Sequence, residues 1–311
     1  MSPPAVSAIC VSYNCAELLR GALASLVAQE VPGGLEVLVV DNASADDSVR
    51  VAASFEGVKV SALERNVGFA AANNAGARAA GGDRLLFVNP DVEAPPNVVA
   101  ALARWLAARP AAAAVGPALA AWDGALQRYA ARRFPNVVRL AAQVSGFAET
   151  RWGNTAFVAG FYPRAFYTAR AAQVDALSGA CMMVRRTAFE RVGGFDERYF
   201  LYGEDVDLCR RLAAAGAEVW YVPVGPVRHF TGGSRRTPSA AVVAASHASA
   251  VTYAALWLGP AAAAVIRAVS RASLAGRRVV FGAAGLVAPA CRSRARLYRD
   301  AAALSRKKKA R

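Results

Sequence analysis

Short apolar runs alternate with helix-forming segments at the start of the chain, and this alternation constrains the fold more than any other feature. Four apolar, β-favouring runs predict strands at residues 5–12, 35–40, 58–63 and 84–88. Between them, apolar residues at helical spacing predict helices at residues 16–29 and 69–80. Strands and helices that alternate at this spacing form βαβ units. The prediction is an α/β protein with a Rossmann-like, mostly parallel sheet flanked by helices.

Polar residues follow each predicted strand, at the point where the strand ends. In chain order they are Tyr13 and Asn14, Asp41 and Asn42, Arg65-Asn66-Val67-Gly68, and Asn89 and Asp91. Each group alone is compatible with ordinary turn chemistry. Four groups at one edge indicate a ligand site, because open parallel sheets bind ligands at the carboxyl ends of their strands. The chain has no G-x-G-x-x-G after its first strand and no P-loop, so dinucleotide and P-loop sites are not expected.

An acidic cluster, Glu204-Asp205-Val206-Asp207, begins a helix predicted over residues 205–215. One interpretation is a solvated helix start, where acids are favoured by the helix dipole. The other is a general base whose proton affinity is raised by a neighbouring acid. In both cases Leu208 and Leu212 share one face of the helix, and Arg210 and Arg211 are expected to turn away from it.

Positive charge is concentrated at the C-terminus. Of the net charge of +15, +12 lies in residues 264–311, so the rest of the chain is nearly neutral. This asymmetry argues against a nucleic-acid partner for the core and favours a tail that meets an anionic surface. Membrane phospholipid is the first choice for that surface and nucleic acid the second. The uncharged run 248–266 is long enough to span a bilayer, but Gly259-Pro260 interrupts it. We therefore predict an Ala-rich, basic, helical extension at 239–311 that lies on the membrane interface, with Trp257 as an anchor.

The five cysteines are odd in number, widely spaced and without a C-x-x-C pair. This pattern is typical of free thiols in a reducing compartment. The N-terminus has no positively charged segment before its first apolar run. The expected location is cytoplasmic, peripheral on the cytoplasmic face of the membrane.

Eight short motifs between Val6 and about Ser234 together resemble the GT-A, family 2 inverting glycosyltransferases, and more narrowly their bacterial rhamnosyltransferase-like branch. Each motif is weak alone, and their order and spacing carry the resemblance. They are Val11-Ser12-Tyr13-Asn14, Val39-Val40-Asp41-Asn42-Ala43-Ser44, Arg65-Asn66-Val67-Gly68-Phe69-Ala70, Phe87-Val88-Asn89-Pro90-Asp91, Ser178-Gly179-Ala180-Cys181, Gly193-Gly194-Phe195-Asp196-Glu197, Tyr202-Gly203-Glu204-Asp205-Val206-Asp207-Leu208 and His229-x-x-Gly232-x-Ser234.

The resemblance implies a nucleotide-sugar donor site at the sheet edge. Asp41 would accept hydrogen bonds from the base, and the residues around it would line the donor pocket: Ser12, Tyr13, Asn14, Asn42, Asn66, Gly68 and Asn89. Asp91 would bind a divalent cation, Mg²⁺ or Mn²⁺, with His229 as a further ligand or a diphosphate contact. Asn89 stands where many of these enzymes carry the first carboxylate of Asp-x-Asp, which implies weaker metal affinity.

The resemblance also implies the catalytic roles in the acidic cluster. Asp205 would be the general base, Glu204 would help to orient the acceptor, and Asp207 would cap the helix or pair with Arg210 or Arg211. Candidate acceptor residues are Trp152, Ser178, Gly179 and Tyr202. Trp152 lies in an aromatic and arginine-rich segment that is either a packed excursion or a loop shaping the acceptor pocket.

The branch points to dTDP-L-rhamnose as donor and to a lipid-linked or polysaccharide acceptor in cell-envelope assembly. A UDP- or GDP-sugar donor stays open, as does a homo-oligomer. The transferase domain is expected at residues 1–238, with a nucleotide-sugar half at 1–118 and an acceptor half at 119–238. Three other possibilities are a nucleotide-binding protein without transferase activity, a nucleic-acid-binding protein driven by the basic tail, and a nucleotidyltransferase. The last usually has a Gly- and Arg/Lys-rich loop after its first strand, unlike Val11-Ser12-Tyr13-Asn14.

Overall fold

The computed structural model describes residues 4–150, 152, 155, 158–163, 165–230, 239–287 and 290–307. The chain divides into two compact units. The sheet unit contains Met1–Phe134, Phe161–Glu197 and Glu204–Ser234, and the helical unit contains Pro135–Gly160, Arg198–Gly203 and Arg235–Arg311. The functional division expected at residue 238 stays a prediction.

The secondary-structure elements follow the predicted alternation through the first ninety or so residues. In chain order they are β1 Val6–Ser12, α1 Ala16–Val27, β2 Leu35–Asp41, α2 Ser48–Ala53, β3 Val58–Ala62, α3 Phe69–Ala79, β4 Arg84–Val88, β5 Val92–Glu93, α4 Val98–Ala107, β6 Ala112–Gly116, β7 Leu119–Ala120, a 3-10 turn at Arg128–Ala130, β8 Ala131–Arg132, α5 Val137–Ser145, a second 3-10 turn at Phe147–Glu149, α6 Phe166–Ala169, β9 Ala172–Gln173, β10 Ala176–Leu177, β11 Cys181–Arg185, α7 Arg186–Arg191, α8 Glu204–Ala214, β12 Glu218–Tyr221, β13 Val227–His229, α9 Ala240–Trp257, α10 Pro260–Val287 and α11 Ala290–Lys307.

The sheet unit is built on an eight-stranded sheet with the strand order β3-β2-β1-β4-β11-β6-β12-β9. β11 runs antiparallel to both of its neighbours, and β9 runs antiparallel to β12. The other six strands share one direction, so the predicted mostly parallel sheet is confirmed. Two small sheets accompany it, β10-β8 and β5-β13-β7.

The strand register brings the predicted polar groups to one edge of the sheet. β1 pairs with β2 from Val6 beside Leu35 to Ser12 beside Asp41, and with β4 as far as Cys10 beside Val88. The carboxyl ends of these neighbouring parallel strands therefore coincide, as the alternation predicts.

Helix α3 lies directly against β1 and β2. A Cβ atom added to Gly76 would come within 2.5 Å of Ile9 Cγ2 and 3.1 Å of Val40 Cγ2. Only glycine permits this close approach, which sets the distance between α3 and the sheet. The residues before it, Asn66 to Gly68, are thereby held near the edge that carries Asp41.

The helical unit packs α9, α10, α11 and α5 together, with Ala244, Leu274 and Ala301 in its core. The uncharged run does not form one helix, because α9 ends at Trp257 and α10 begins at Pro260. Among the described residues, α9 is the one helix with the length and mean hydropathy (1.3) to cross a membrane, and 39 % of it is buried within the protein. Lys308 and Lys309, part of the predicted basic anchor, lie outside the described residues.

Candidate active site

Asp41 lies at the end of β2 and is 1 % exposed. Its Oδ1 accepts hydrogen bonds from the hydroxyls of Ser12 (2.8 Å) and Ser44 (2.6 Å), and its Oδ2 accepts one from the Ser44 amide (2.8 Å). A carboxylate oxygen has two acceptor positions. The described protein groups therefore occupy both positions of Oδ1 and one position of Oδ2.

The loops after β1 and β2 are tied together by a second set of bonds. The Asn14 amide donates to Ser44 Oγ (2.9 Å), and Asn14 Oδ1 accepts from the Ala45 amide (2.7 Å). Asn14 has φ +50°, a left-handed conformation that asparagine tolerates better than most residues. The side chain of the neighbouring Tyr13 is 40 % exposed.

Asn42 and Asn66 shape the loop that leads into α3. Asn42 Nδ2 donates to Asn66 Oδ1 (3.0 Å) and to the Gly68 carbonyl (3.3 Å), and Asn42 Oδ1 accepts from the Val67 amide (2.9 Å). Gly68 adopts φ +91° where the helix begins. The structure thus brings Ser12, Asn14, Asp41, Asn42, Asn66 and Gly68 into one hydrogen-bonded edge.

Asp91 and His229 face each other. His229 ends β13, which pairs with β5 so that His229 lies beside Val92. The distance from His229 Nε2 to Asp91 Oδ1 is 3.5 Å. Sequence spacing alone does not predict that these two side chains meet, because they are far apart in the chain. They meet through the long-range pairing of β13 with β5.

The His229 ring is held in one orientation by Gln127. Gln127 Nε2 donates to the His229 carbonyl (2.8 Å), which places Gln127 Oε1 at 2.8 Å from His229 Nδ1. Because Oε1 only accepts, the proton of a neutral ring lies on Nδ1 and the lone pair of Nε2 faces Asp91. Burial lowers the pKa of His229 to about 4, so the ring is neutral at physiological pH.

These two side chains fit part of a divalent-cation site. A carboxylate oxygen and an imidazole nitrogen with a free lone pair are both established metal ligands. Among the described residues there is no cluster of three or more His, Cys, Asp or Glu that would complete a coordination shell. Asp91 and His229 supply two ligands, which is fewer than a divalent cation takes.

The acidic cluster is buried, and the solvated interpretation is wrong. Glu204, Asp205 and Asp207 are 5 %, 8 % and 1 % exposed. Asp205 Oδ2 accepts from the Gly179 amide (3.0 Å) and from Arg132 (3.2 Å), and its Oδ1 accepts from the Val206 amide (2.8 Å). The carboxylate is therefore fixed at the start of α8 by partners from two distant segments.

Arg132 is the site residue that the sequence analysis missed. It lies on β8, which pairs with β10, and β10 ends two residues before Gly179. This pairing brings Arg132 to Asp205. Its Nε is buried and has no hydrogen-bond partner among the described residues. The surrounding segment is rich in arginines, and no spacing rule distinguishes this one, since a two-residue strand carries too little pattern.

Glu204 sits beside Asp205 as a neutral acid. Burial, and then the charge of Asp205, raise the pKa of Glu204 to about 8. Its Oε2 is buried without a hydrogen-bond partner among the described residues. Glu204 is therefore protonated and uncharged at neutral pH.

Asp207 has a structural role, as one of its predicted pairings indicated. Its Oδ2 accepts from Arg211 Nε (2.7 Å) one helical turn later. Arg211 also donates to the carbonyls of Val192 (2.7 Å) and Gly194 (2.6 Å). The expectation that Arg211 turns away from the packed face is wrong, because its side chain ties α8 to the turn after α7.

A single dipeptide joins the two parts of the site. The Gly179 amide donates to Asp205, and the Ala180 carbonyl accepts from the Asn89 amide (3.0 Å). A Cβ atom on Gly179 would lie 3.3 Å from Asp205 Cβ and 3.8 Å from the Phe69 ring at the start of α3. One region of the sheet unit therefore contains the acidic cluster, the Asn89-Pro90-Asp91 turn and the hydrogen-bonded edge around Asp41, which we call the Asp41 edge.

The candidate acceptor residues are divided between the two units. Ser178 and Gly179 are in the sheet unit, where Ser178 Oγ accepts from the Ala180 amide (3.3 Å). Trp152 and Tyr202, 71 % and 50 % exposed, are in the helical unit. Part of the aromatic segment is packed, since Tyr162 and Phe166 stack at 4.4 Å and Tyr167 is 2 % exposed. Gly232 and Ser234 of the last motif lie outside the described residues.

Glu204→Gln is expected to remove a pH dependence of stability. The folded state holds the Glu204 proton up to about pH 8, whereas the unfolded chain loses it near 4.5, so stability falls as pH rises through this window. The loss is about 1.4 kcal/mol for each unit by which the two pKa values differ. Urea unfolding at several pH values should show the glutamine variant gaining on wild type as pH rises. Glu56→Gln, at an exposed site, should run parallel to wild type, and parallel curves for both variants would contradict a neutral Glu204.

Comparison with known proteins agrees with this arrangement. The protein-family model described as "Glycosyl transferase family 2" matches residues 7–193. The family model described as "N-terminal domain of galactosyltransferase" matches residues 167–231. The chain is 33 % identical over 267 residues to N-acetylglucosaminyl-diphospho-decaprenol L-rhamnosyltransferase of Mycobacterium tuberculosis, covering 79 % of this chain and 82 % of that protein. It is 49 % identical over 57 residues to rhamnosyltransferase WbbL of Escherichia coli K12, covering 18 % and 22 % of the two chains.

Solved structures share the fold. The mannosyltransferase PcManGT of Pyrobaculum calidifontis, solved with GDP-Man and Mn²⁺, aligns with a TM-score of 0.55 at 19 % identity. The alignment covers 98 % of this chain and 87 % of that one. At this identity the similarity concerns the fold alone, and it agrees with the predicted GT-A architecture.

Proposed function

Because the chain belongs to glycosyl transferase family 2, we propose that it transfers L-rhamnose from dTDP-L-rhamnose to a lipid-linked acceptor, with inversion at the sugar carbon. The observation that carries the proposal is the buried Asp205 carboxylate, which is fixed by Gly179 and Arg132 and connected through Ala180 to the Asn89-Pro90-Asp91 turn. Such an arrangement suits a general base beside a leaving diphosphate.

The donor nucleoside would bind at the Asp41 edge. Asp41 Oδ2 keeps one acceptor position that can receive the N3–H of a thymine or uracil base. The exposed Tyr13 ring offers a face on which the base can stack. Asn42, Asn66 and Gly68 fix the loop that leads into α3. A buried carboxylate with a vacant acceptor position discriminates strongly between bases.

Asp91 and His229 would hold a divalent cation, Mg²⁺ or Mn²⁺, with the donor diphosphate completing its shell. Such an ion neutralises charge that develops on the departing diphosphate. His229 is prepared for this role by Gln127, which leaves Nε2 with its lone pair facing Asp91. The relative in Pyrobaculum calidifontis was solved with Mn²⁺ and a nucleotide sugar, which supports a cation in this fold.

Asp205 would take the proton of the attacking acceptor hydroxyl. Arg132 and the Gly179 amide hold Oδ2, and among the described residues Oδ1 accepts only from the Val206 amide. Oδ1 therefore keeps an acceptor position for the hydroxyl. The neutral Glu204 adds no second negative charge next to the base.

A lipid-linked acceptor is supported by the relative from Mycobacterium tuberculosis, whose name describes an N-acetylglucosaminyl-diphospho-decaprenol acceptor. The same relative supports L-rhamnose as the transferred sugar. An acceptor with a polyprenyl chain is embedded in a bilayer, so the enzyme would work peripherally on the cytoplasmic face of the membrane, where nucleotide sugars are available.

A donor panel tests the function directly. The purified chain would be given one polyprenyl-diphosphate-linked N-acetylglucosamine acceptor, Mn²⁺ or Mg²⁺, and in turn dTDP-L-rhamnose, UDP-GlcNAc, UDP-galactose and GDP-mannose. We expect kcat/KM for dTDP-L-rhamnose to exceed the others by at least about a hundredfold, because a site built to hydrogen-bond its ligand rejects analogues by such factors. Product mass and release of the nucleoside diphosphate, with and without acceptor, are the measurements.

The outcomes separate the remaining possibilities. Preferred transfer from a UDP- or GDP-sugar would overturn the donor assignment and keep the transferase. Nucleotide binding without transfer from any donor would favour a nucleotide-binding protein in which Asp205 is idle. The buried, fixed geometry of Asp205 argues against that second candidate.

A further inference from the structure

Helix α10 has two apolar sides, and the described residues cover only one of them. Its inner side packs against α9, α11 and α5, and Ile266, Ser270 and Leu274 are buried there. The Ser270 hydroxyl lies 2.6 Å from Nδ1 of the buried His247 on α9, which fixes the rotation of α10 within the helical unit. The opposite side is thereby directed outward.

The outward side is apolar along most of the helix. Val265, Val279 and Leu286 are 48 %, 69 % and 82 % exposed. At about 100° per residue, they share a sector of about 80° with four further exposed residues, namely Ala268, Ala272, Ala275 and Ala283. This sector, which we call the outer face of α10, runs for about 30 Å. A soluble helix normally places polar residues there.

Arginines border the outer face on one flank. Arg267, Arg271 and Arg278 are all exposed and follow one another at helical spacing. The helix contains no acidic residue from Pro260 to Val287. The result is an apolar strip with a purely cationic border.

The other flank of the outer face opens into an apolar groove. The groove has a volume of about 400 Å³ and is lined chiefly by Val269, Gly276, Val280 and Phe281. Arg277 closes one side, where it donates to the Ser145 carbonyl (2.9 Å) and to Tyr298 Oη (3.2 Å). Apolar surface therefore continues from the outer face into this recess.

We propose that the outer face of α10 lies on the surface of a bilayer that contains anionic phospholipid. The apolar sector enters the boundary between headgroups and acyl chains, and Arg267, Arg271 and Arg278 contact lipid phosphates. The bilayer surface is where the lipid-linked acceptor of the proposed function would be found, so the biological role of this contact rests on that proposed function. The physical basis of the contact is the charge and exposure of α10 alone.

Two alternative roles of the outer face, insertion into the bilayer core and dimerisation, are less compatible with its charges. Full insertion would bring three arginines into hydrocarbon, which is costly. A two-fold dimer through the outer face would place two arginine borders close together without acids from α10 to pair with them. An anionic lipid surface satisfies both the apolar sector and the arginines.

Vesicle binding by the full-length protein tests the surface without any sugar donor. Arg267→Gln/Arg271→Gln/Arg278→Gln is compared with Arg292→Gln/Arg296→Gln/Arg299→Gln, which removes the same charge from exposed positions of α11. On phosphatidylcholine vesicles containing phosphatidylglycerol, the α10 variant should bind about a hundredfold more weakly, from about fivefold per arginine. The α11 variant should bind nearly as wild type. Circular dichroism confirms that both fold.

A second variant removes the apolar sector while keeping every charge. Val265→Gln/Val279→Gln/Leu286→Gln should lower vesicle affinity by at least about tenfold. Equal losses in the two arginine variants would overturn the proposal in favour of general attraction by a basic chain. Wild-type binding by Val265→Gln/Val279→Gln/Leu286→Gln would also overturn it. So would a concentration-dependent dimer that these three substitutions abolish. None of these readouts depends on transferase activity, so each is separable from the donor panel.

Discussion

Replacing Asp205 with asparagine is expected to lower kcat at least about a hundredfold, the usual scale for loss of a general base. The fold should persist, because the amide keeps the shape of the carboxylate and its oxygen can still accept from Gly179 and Arg132. Donor affinity should change little, since the contacts at Asp41 are made by other residues. Single-turnover kinetics on a lipid-linked acceptor, with nucleotide binding by calorimetry, measures both quantities.

Asp207→Asn is the matched control for this change. Asp207 is an acid on the same helical turn and is still more deeply buried, but its carboxylate pairs with Arg211. Its substitution should lower the free energy of unfolding by about 3 kcal/mol, because it leaves part of a buried pair uncompensated. Turnover per folded molecule should stay close to wild type. Near-wild-type kcat in Asp205→Asn, or equal losses in both variants, would remove Asp205 from the role of base.

Asp91→Asn is expected to have the second large effect. It removes the only carboxylate that faces His229 Nε2 among the described contacts. An amide oxygen binds a divalent cation more weakly than a carboxylate, and cation stabilisation of a departing diphosphate is worth several kcal/mol. We expect kcat/KM to fall at least about a hundredfold, and the cation concentration needed for half-maximal rate to rise.

The measurement for Asp91 is donor binding by calorimetry, with and without Mn²⁺. Wild type should bind dTDP-L-rhamnose more tightly when the cation is present, and the variant should lose that difference. Asp123→Asn, an exposed acid in the same unit, serves as the control and should keep it. A cation effect of wild-type size in Asp91→Asn would show that the ion is held elsewhere.

The sheet could be predicted from sequence because its information is local. Apolar runs such as Val6–Ser12 and Leu35–Asp41 each identify a strand, and strand–helix alternation dictates a parallel arrangement. The polar edge followed from the same rule, since parallel neighbours end together. Asp41 beside Ser12 is a direct consequence of that register.

The site around Asp205 could be predicted only in part. Its motif is local, but its partners are not. Arg132 reaches it through pairing of two-residue strands, and such short elements leave almost no periodic signal. The neutral state of Glu204 depends on burial, which the pattern of a helix start does not reveal. Arg211 was misjudged for the same reason, because its carbonyl partners come from a turn outside its own helix.

The dipeptide Gly179-Ala180 couples the two parts of the site through the backbone. The Gly179 amide holds Asp205 and the Ala180 carbonyl holds Asn89, so the two anchor points lie on adjacent residues. Because the peptide bond between these residues is planar, only a few backbone dihedral angles set the separation of the two points. A change of backbone conformation at this dipeptide would therefore displace the Asp205 carboxylate and the Asn89-Pro90-Asp91 turn relative to each other.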